Sequence, residues 1–494
     1  MEYVLSIDQG TTGTRAMIFN KKGEEVSKDY IEHEQIFPHA GWVEHNPVEI
    51  WGNTLKTLKQ SLQNANLNAS NICSIGITNQ RETLVAWDKE TGLPLYNAIV
   101  WQCRRTSDIC DNLKNEGYSE LFKSKTGLVL DPYFSGTKIK WLLENVNKVD
   151  EAYKKKRLLV GTIDSWLIWK LTGNHITDYS NASRTLLFNI HKGKWDQELL
   201  DILKLPEEIL PEVRLSSDKE TYGLTHANLL PSRIPVSGDA GDQQAALFGQ
   251  TCFDEGSVKN TYGTGNFMLL NTGTKAITSE LGLLTTVAWK IDASIKYALE
   301  GSVFITGAAI QWLEEGLKIL SDKTELTTVM NNLSDTDGVY FVPAFVGLGA
   351  PYWDPYARGT ILGLTRGTSR EHIIRATLES ICYQSEDVFE LMRKESGIDI
   401  KILRVDGGIT KCEPLLQFQA DISDVIVQKP TVGETTALGA AYLAGLAVDY
   451  WENLEDIREN FLVNEEYHPQ MDTELRNSLF SRWKKAVERA KDWQ

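Results

Sequence analysis

The sequence predicts an α/β protein made of two similar lobes, and three observations support this fold class. The chain has 494 residues, which is too long for one small core and suits two domains of roughly 200–250 residues each. Short apolar runs typical of strands alternate with runs of helical periodicity in both halves of the chain. Each half also contains a glycine-threonine turn directly after an apolar segment, at residues 8–15 and 262–266.

The first lobe is predicted to be a mixed sheet with helices on its faces. It opens with a β-meander whose strands are expected at about 3–8, 14–20 and 25–32. A helix is expected from Pro47 to about residue 65, because apolar side chains recur at helical spacing between Ile50 and Leu62. Residues 72–77 form a short apolar run typical of a buried strand, and a hairpin is expected at 88–92.

The second lobe is predicted to repeat this plan. Strands are expected near 257–262, 267–271, 284–289, 296–300 and 401–405. Helices are expected after Ser369, at about 435–446 and at about 473–492, and the middle one carries small residues that allow close packing. No linker rich in Pro, Gly or Ser separates the lobes. The motif positions therefore place the lobes at 1–250 and 251–494, with the last helix as a candidate to pack back on the first lobe.

The composition narrows the class of protein. The net charge of −16 argues against a nucleic-acid or anionic-membrane surface, which needs a basic face. No run of about 18 apolar residues is present, so no transmembrane helix is expected, and no secretory leader pattern is visible. The six cysteines include no Cys-x-x-Cys pair, which favours a reduced, cytoplasmic protein.

The first turn, Asp8-Gln9-Gly10-Thr11-Thr12-Gly13-Thr14-Arg15, has the residue types of a phosphate-binding loop. Glycines let backbone N–H groups face an anion, and threonine hydroxyls add donors. Asp8 at its mouth indicates a metal ion on those phosphates, and Arg15 is suited to neutralise transferring charge. Together with the second turn, the pattern predicts a nucleotide held between two lobes. The alternative is an ordinary hairpin turn that uses the same residues.

Residues 234–244 have the pattern of a strand, a glycine turn, an acid and the start of a helix. Asp242 is therefore expected at a helix N-terminus, where its carboxylate can accept a proton from a hydroxyl that attacks phosphorus. The alternative is a helix N-cap, a position that aspartate favours. From these residues alone, the cap is the commoner outcome.

Two further strand ends carry polar residues. Arg81 and Glu82 follow the strand at 72–77 and can bind vicinal hydroxyls of a polyol as donor and acceptor, or form a surface ion pair that contributes little. Asp406-Gly407-Gly408 suits a backbone that passes close to a base or ribose, although such a sequence is usually a turn. None of the eight histidines forms a pair at metal-ligand spacing.

Six segments together resemble the glycerol kinases, a branch of the FGGY carbohydrate kinase family within the actin, hexokinase and heat-shock chaperone ATPase superfamily. The segments are residues 8–12, 76–82, 97–105, 131–138, 241–244 and 260–265. Both general family patterns also occur, around Tyr133–Asn145 and Gly359–Glu379. The resemblance runs nearly from end to end, and the segments 79–82 and 101–105 are particular to glycerol kinases among their relatives.

The resemblance implies two ribonuclease H-like lobes of the actin/hexokinase type with a nucleotide cleft between them. The N-terminal FGGY lobe (1–250) would bind glycerol and phosphate, and the C-terminal FGGY lobe (251–494) would bind the nucleotide. The implied reaction is transfer of the γ-phosphoryl group of ATP, with Mg²⁺, to the 3-hydroxyl of glycerol, giving sn-glycerol 3-phosphate. A homo-oligomer, either a dimer or a tetramer, is implied as well.

The resemblance also assigns roles by position, with Asp242 as the general base. The side chains that would hold the glycerol hydroxyls are Arg81, Glu82, Tyr133, Asp242 and Gln243, and those that would pack on its carbons are Trp101 and Phe267. The residues that would contact the nucleotide are Thr11, Thr12, Gly13, Arg15, Thr264, Gly307, Gln311, Gly408 and Cys412. Mg²⁺ would lie near Asp8 and Asp242. Cys412 stands where relatives often carry an asparagine that touches adenine.

Two other functions are compatible with these residues. A kinase of another polyol or sugar, such as dihydroxyacetone, erythritol or xylulose, would share the loops and Asp242 but prefer another acceptor. An actin-like ATPase that grips a protein partner would hydrolyse ATP without a small acceptor and would not need Arg81, Glu82 and Trp101. A nucleotide sensor without activity is disfavoured, because Asp8, Asp242 and both loops are intact.

Overall fold

The computed structural model describes residues 2–493. The strands of the first half (residues 2–250) are β1 (Tyr3–Gln9), β2 (Gly13–Phe19), β3 (Glu25–Glu32), β4 (Glu44–His45), β5 (Ile72–Asn79), β6 (Leu84–Asp88), β7 (Ala98–Ile99), β8 (Leu158–Thr162), β9 (Ile176–Asp178), β10 (Phe188–Asn189), β11 (Lys194–Trp195), β12 (Glu212–Arg214), β13 (Gly223–Leu224) and β14 (Pro235–Gly241). Its helices are α1 (Pro47–Asn64), α2 (Ser107–Asn115), α3 (Ser119–Thr126), α4 (Ser135–Asn145), α5 (Asn147–Lys154), α6 (Ile163–Thr172), α7 (Tyr179–Ala182), α8 (Gln197–Leu203) and α9 (Asp242–Gly249).

The second half (residues 251–493) repeats the alternation of strands and helices. Its strands are β15 (Val258–Tyr262), β16 (Asn266–Asn271), β17 (Leu284–Trp289), β18 (Lys296–Val303), β19 (Tyr340–Val342), β20 (Thr360–Leu362), β21 (Ile402–Gly407), β22 (Ile426–Pro430) and β23 (Val463–Tyr467). Its helices are α10 (Gly307–Gln311), α11 (Glu325–Asn332), α12 (Arg370–Ser396), α13 (Glu413–Ser423), α14 (Thr435–Ala447), α15 (Leu454–Arg458) and α16 (Thr473–Ala490).

The sheet of the first half brings three chain segments to one edge. Its strand order is β13-β14-β5-β1-β2-β3, and β1, β5 and β14 run parallel to one another. Asp8 lies opposite Thr78, and Gly241 lies opposite Asn79. Because the carboxyl ends of parallel strands meet at the same edge of a sheet, the segments that follow these strands converge there.

The sheet of the second half has the same local plan. Its strand order is β17-β18-β16-β15-β21-β22-β23. The hairpin β15–β16 contains the second glycine-threonine turn, and β21 runs parallel to β15 and ends with Gly407 opposite Tyr262. Both halves therefore place a β-hairpin turn beside the carboxyl end of a parallel strand, which confirms the predicted α/β architecture of two similar lobes.

The helix that crosses between the halves is α14, and the last helix does not have this role. α14 packs on α9 and on strands β1, β5 and β14 of the first sheet. The packing is so close that a Cβ added to Gly439 would stand 1.8 Å from the carbonyl oxygen of Ala245. The last helix α16 instead buries Trp483 and Val487 in the core of the second half, where Trp483 Nε1 donates to Asp387 Oδ2 at 2.7 Å. The prediction that the last helix packs back on the first lobe is therefore wrong. The apolar face of α16 packs against the core of the second half.

None of the helices formed by residues 2–493 combines the length and the apolar composition that a bilayer crossing needs. The six cysteines, all within the described residues, are free.

Candidate active site

The first glycine-threonine turn is a tight loop between β1 and β2. Gly10 N donates to the carbonyl oxygen of Gly13 at 2.9 Å. Thr11 and Thr12 lie at the tip, where their side chains reach the loop surface: Thr11 Oγ1 accepts from Trp101 Nε1 at 2.9 Å, and Thr12 Oγ1 lies 3.3 Å from the hydroxyl of Tyr30. The loop thus presents backbone N–H groups and hydroxyls, as an anion site requires.

Charged side chains flank this loop. Arg15 on β2 is paired in register with Asp8 on β1, and Arg15 Nη1 lies 3.9 Å from Asp8 Oδ2. Arg15 also forms an ion pair with Glu434, the residue before α14. Burial raises the pKa of Asp8 to about 6; Arg15 opposes this rise, while the negative charge of Asp242 adds to it. The rise in the pKa of Asp8 is therefore due mainly to burial of its carboxylate, with a smaller contribution from the carboxylate of Asp242.

The second turn is joined to the N-terminus of α10. Gly307 N donates to the carbonyl oxygen of Gly263 at 3.0 Å, and Ala308 N donates to that of Thr264 at 3.1 Å. The structure therefore brings Thr264 and Gly307 together, although they lie 43 residues apart in the chain. Gln311 lies at the end of the same helix, and its Nε2 donates to Glu315 at 3.0 Å.

Arg81 and Glu82 lie inside the molecule, so their interpretation as a surface ion pair is wrong. Their side chains are 2% and 1% exposed, and Arg81 Nε is 4.0 Å from Glu82 Oε1. Arg81 Nε also lies 3.1 Å from Asp242 Oδ1, and the Asp242 side chain is 30% exposed. A buried guanidinium therefore holds a carboxylate that remains accessible from the cleft.

Asp242 begins helix α9 but does not cap it. Gly241 occupies the N-cap position, and no side chain bonds there. The Asp242 carboxylate instead accepts from the backbone N–H of Gln243 at 2.7 Å. Gly241 is needed at this point, because a Cβ there would stand 2.6 Å from Arg81 Cγ. The N-cap interpretation is therefore wrong, and the carboxylate is free to face a ligand.

Aromatic rings stand beside these charges. The rings of Trp101 and Tyr133 meet edge to face with centroids 5.5 Å apart, and burial raises the pKa of Tyr133 far above its ordinary value. Phe267 is half-buried on β16. Trp101 thus contacts both the first turn, through Thr11, and the ring of Tyr133.

The predicted base-binding segment lies at the end of β21. Gly408 opens a short 3-10 turn, and no atom stands within 4 Å of a Cβ built on it, so the backbone there is accessible. Cys412 is 4% exposed at the N-cap position of α13, and burial raises the pKa of its thiol. Its sulfur is therefore part of the core of the second half, so the structure gives the Cys412 side chain no open contact surface.

Three further charged residues are buried beside Arg81, Glu82 and Gln243, and no sequence motif pointed to them. They are Arg184, Lys259 and Glu300. Arg184 Nε donates to Glu82 Oε1 at 2.6 Å, and Arg184 Nη2 donates to Glu300 Oε1 at 3.0 Å. Lys259 donates to Gln243 Oε1. The sequence offers one local indication of such pairing, a lysine within strand β15 and a glutamate within strand β18. Charged residues are seldom fully buried unless they are paired.

The donor set suits a magnesium ion that also contacts phosphates. Magnesium is usually held by one or two carboxylates together with substrate phosphates and water. Asp8 and Asp242 supply two such carboxylates beside the first turn. Within residues 2–493 no group of three His, Cys, Asp or Glu side chains could hold a metal by itself, so the phosphates and water would complete the coordination.

The buried pair of Arg81 and Glu82 lies beside the accessible carboxylate of Asp242, at the sheet edge where the first glycine-threonine turn also lies. Such a set of groups suits a phosphoryl-transfer site. The chain belongs to the FGGY family of carbohydrate kinases: the model of the family's N-terminal domain matches residues 3–249, and that of its C-terminal domain matches residues 258–448.

Similar proteins carry more specific names. The chain is 58% identical to a protein named glycerol kinase 2 from Thermotoga maritima, with full coverage of both chains. It is 57% identical to a glycerol kinase from Staphylococcus epidermidis, covering 98% of each. The crystal structure of Plasmodium falciparum glycerol kinase with ADP superposes with a TM-score of 0.93 at 38% identity, covering 99% of this chain and 98% of the other. A xylulose kinase from Lactobacillus acidophilus (TM-score 0.84, 22% identity, 99% and 97% coverage) shares the fold.

Proposed function

We propose that this protein transfers the γ-phosphoryl group of ATP to glycerol and releases sn-glycerol 3-phosphate and ADP. The observation that carries the proposal is the contact of Arg81 with Asp242, 3.1 Å apart, at the sheet edge where the first turn also lies. The names and identities of the relatives support glycerol as the acceptor.

Asp242 is the proposed general base. Its carboxylate is accessible while its partner Arg81 is buried, so it can accept a proton from the attacking hydroxyl as oxygen approaches phosphorus in line. Arg15 and the N–H groups of both turns balance the charge on the transferring group. Mg²⁺, when bound near Asp8 and Asp242, neutralises phosphate charge and orients the phosphates.

The acceptor is held by complementary groups. Arg81 and Gln243 donate to glycerol oxygens, Glu82 accepts from a hydroxyl, and Tyr133 adds its phenol group. Trp101 and Phe267 pack on the carbon atoms. A small polyol needs both hydrogen-bond partners and apolar contact. This mixture of side chains therefore suits a small polyol better than it suits a protein partner.

The nucleotide is proposed to lie between the halves, with residues 1–250 binding glycerol and phosphate and residues 251–494 binding most of the nucleotide. The proposed nucleotide contacts are Thr11, Thr12, Gly13, Arg15, Thr264, Gly307, Gln311, Gly408 and Cys412. Of these, Cys412 would act through its backbone, since its side chain is buried. We further propose a cytoplasmic homo-oligomer; the free cysteines support a reducing compartment.

The test is ATP consumption with and without glycerol, followed by coupled ADP detection. We expect turnover to require glycerol and Mg²⁺, and the product to carry phosphate on a terminal carbon with the configuration of sn-glycerol 3-phosphate. A panel with dihydroxyacetone, erythritol and xylulose separates the alternatives. A five-carbon sugar that outcompetes glycerol would refute the choice of acceptor, and ATP hydrolysis independent of any small acceptor would favour the actin-like ATPase.

A further inference from the structure

Two charged side chains of the second half lie in one row across its sheet. Lys259 on β15 is paired with Leu269 on β16, and Leu269 is paired with Glu300 on β18. Directly paired residues project from the same face of a sheet. Phe267 lies two residues from Leu269 on β16 and shares that face. The side chains of Lys259, Glu300 and Phe267 therefore project together toward the first half.

Glu300 joins two arginines of the first half. Its side chain is fully buried, and its Oε1 accepts from Arg81 Nη2 at 3.2 Å and from Arg184 Nη2 at 3.0 Å. Arg81 Nη1 donates to the other carboxylate oxygen. Burial opposes ionisation, yet Arg184 and Arg81 lower the pKa of Glu300 to about 2. The carboxylate therefore stays ionised and fixes both terminal nitrogens of Arg81.

This arrangement decides which atom of Arg81 faces the acceptor site. With Nη1 and Nη2 directed to Glu300, the Nε side of the guanidinium is directed to Asp242 at 3.1 Å. A guanidinium is a rigid planar fork, so fixing one side orients the other. Without Glu300, Arg81 could turn its fork toward Asp242 and cover the carboxylate.

Lys259 has a matching effect on Gln243. Its side chain is fully buried, and its Nζ donates to Gln243 Oε1 and, at 3.0 Å, to Thr261 Oγ1. A lysine ammonium can only donate hydrogen bonds, so it selects the oxygen of the amide. The N–H₂ group of Gln243 is then the part left for a ligand.

We propose that Glu300 and Lys259 are positioning residues for the acceptor: Glu300 orients Arg81, and Lys259 orients the amide of Gln243. The inference rests on the proposed function, because it assumes that Arg81 and Gln243 bind glycerol. Its consequence is that side chains of the second half set the geometry of an acceptor site built from the first half. Acceptor affinity therefore depends on the contact between the halves.

The test compares glycerol KM with ATP KM in Glu300→Gln and Lys259→Met. We expect glycerol KM to rise about tenfold or more in each, the usual effect of losing a hydrogen bond to a charged group, while ATP KM stays within about twofold. The matched control is Glu379→Gln, which breaks the buried ion pair of Arg375 Nε with Glu379 at 2.7 Å in α12. This control should leave glycerol KM unchanged even if it lowers the melting temperature.

Glu300→Asp and Lys259→Arg serve if a neutral variant does not fold, since each keeps the charge and moves the hydrogen-bonding atoms. Each should still raise glycerol KM more than ATP KM. Unchanged glycerol KM in folded variants overturns the inference, as does an equal rise of both KM values that matches the control. A wild-type protein that does not phosphorylate glycerol refutes the proposed function itself, and this result is visible before any variant is made.

Discussion

Replacing Trp101 by phenylalanine should impair use of ATP and leave glycerol binding nearly unchanged. The indole N–H donates to Thr11 Oγ1 at 2.9 Å, within the first glycine-threonine turn. Because that oxygen accepts from the indole, the Thr11 hydroxyl proton is directed elsewhere, and a phosphate oxygen is its acceptor in the proposed complex. Phenylalanine keeps a ring beside Tyr133 but has no N–H.

The size of the effect follows from the single hydrogen bond that is lost. A neutral hydrogen bond contributes about 0.5–1.5 kcal/mol, so kcat/KM for ATP should fall by about two- to twelvefold. Glycerol KM should stay within about twofold, because the ring contact remains. Trp101→Ala removes the ring as well and should raise glycerol KM, which separates the two contributions of this side chain.

The assay is steady-state kinetics with each substrate varied in turn, for Trp101→Phe, Thr11→Val and the double variant. If the indole acts through Thr11, the Trp101→Phe change should cost little once the Thr11 hydroxyl is gone. An equal loss in both backgrounds would refute the link. A change confined to glycerol KM would show that the indole N–H has no part in nucleotide binding.

Three further predictions concern packing, buried carboxyls and the metal. Gly439→Ala should lower the free energy of unfolding by about 1–3 kcal/mol, because its Cβ would stand 1.8 Å from a backbone oxygen of α9. The control Gly52→Ala, in α1 with open space around the added Cβ, should be neutral or stabilising in urea unfolding. A urea midpoint of Gly439→Ala equal to that of the wild type would contradict the packing. Burial raises the pKa of Asp387 to about 7, although the hydrogen bond from Trp483 lowers it, so the folded state favours the neutral carboxyl. As the pH rises from about 4 to 7, the wild type should therefore lose stability relative to Asp387→Asn. A difference in urea midpoints that does not change with pH would disprove this. Asp8→Asn should raise the Mg²⁺ concentration needed for half-maximal rate with little change in glycerol KM, since one carboxylate ligand is removed; a magnesium titration that matches wild type would exclude Asp8 from the metal site.

Local sequence patterns predicted much of the fold and of the site. Glycines and threonines after apolar runs located both turns, and the strand-turn-helix pattern located Asp242 at the start of α9. Small residues at about 435–446 indicated a closely packed helix, and α14 lies there. These features depend on neighbours in the chain, which is why the residues themselves reveal them.

Features that depend on distant contacts were beyond such patterns. The crossing of α14 onto the first sheet depends on its fit to Gly76 and Ala245, which lie far away in the chain. Glu300 and Arg184 each appear as single charges without a motif, and only the fold pairs them with Arg81 and Glu82. The surface ion pair considered for Arg81 and Glu82 is wrong because the fold buries both side chains. The N-cap considered for Asp242 is wrong because the helix begins one residue earlier than that role requires, with Gly241 at the cap.

The most direct test of the account is the turnover of Asp242→Asn with ATP, Mg²⁺ and glycerol, with glycerol binding measured on the same sample by calorimetry. We expect kcat to fall on the order of 10²–10⁴-fold, as for loss of a general base, while the variant stays folded and still binds glycerol. Near-normal turnover in that variant would contradict the assignment of the base and the mechanism built on it.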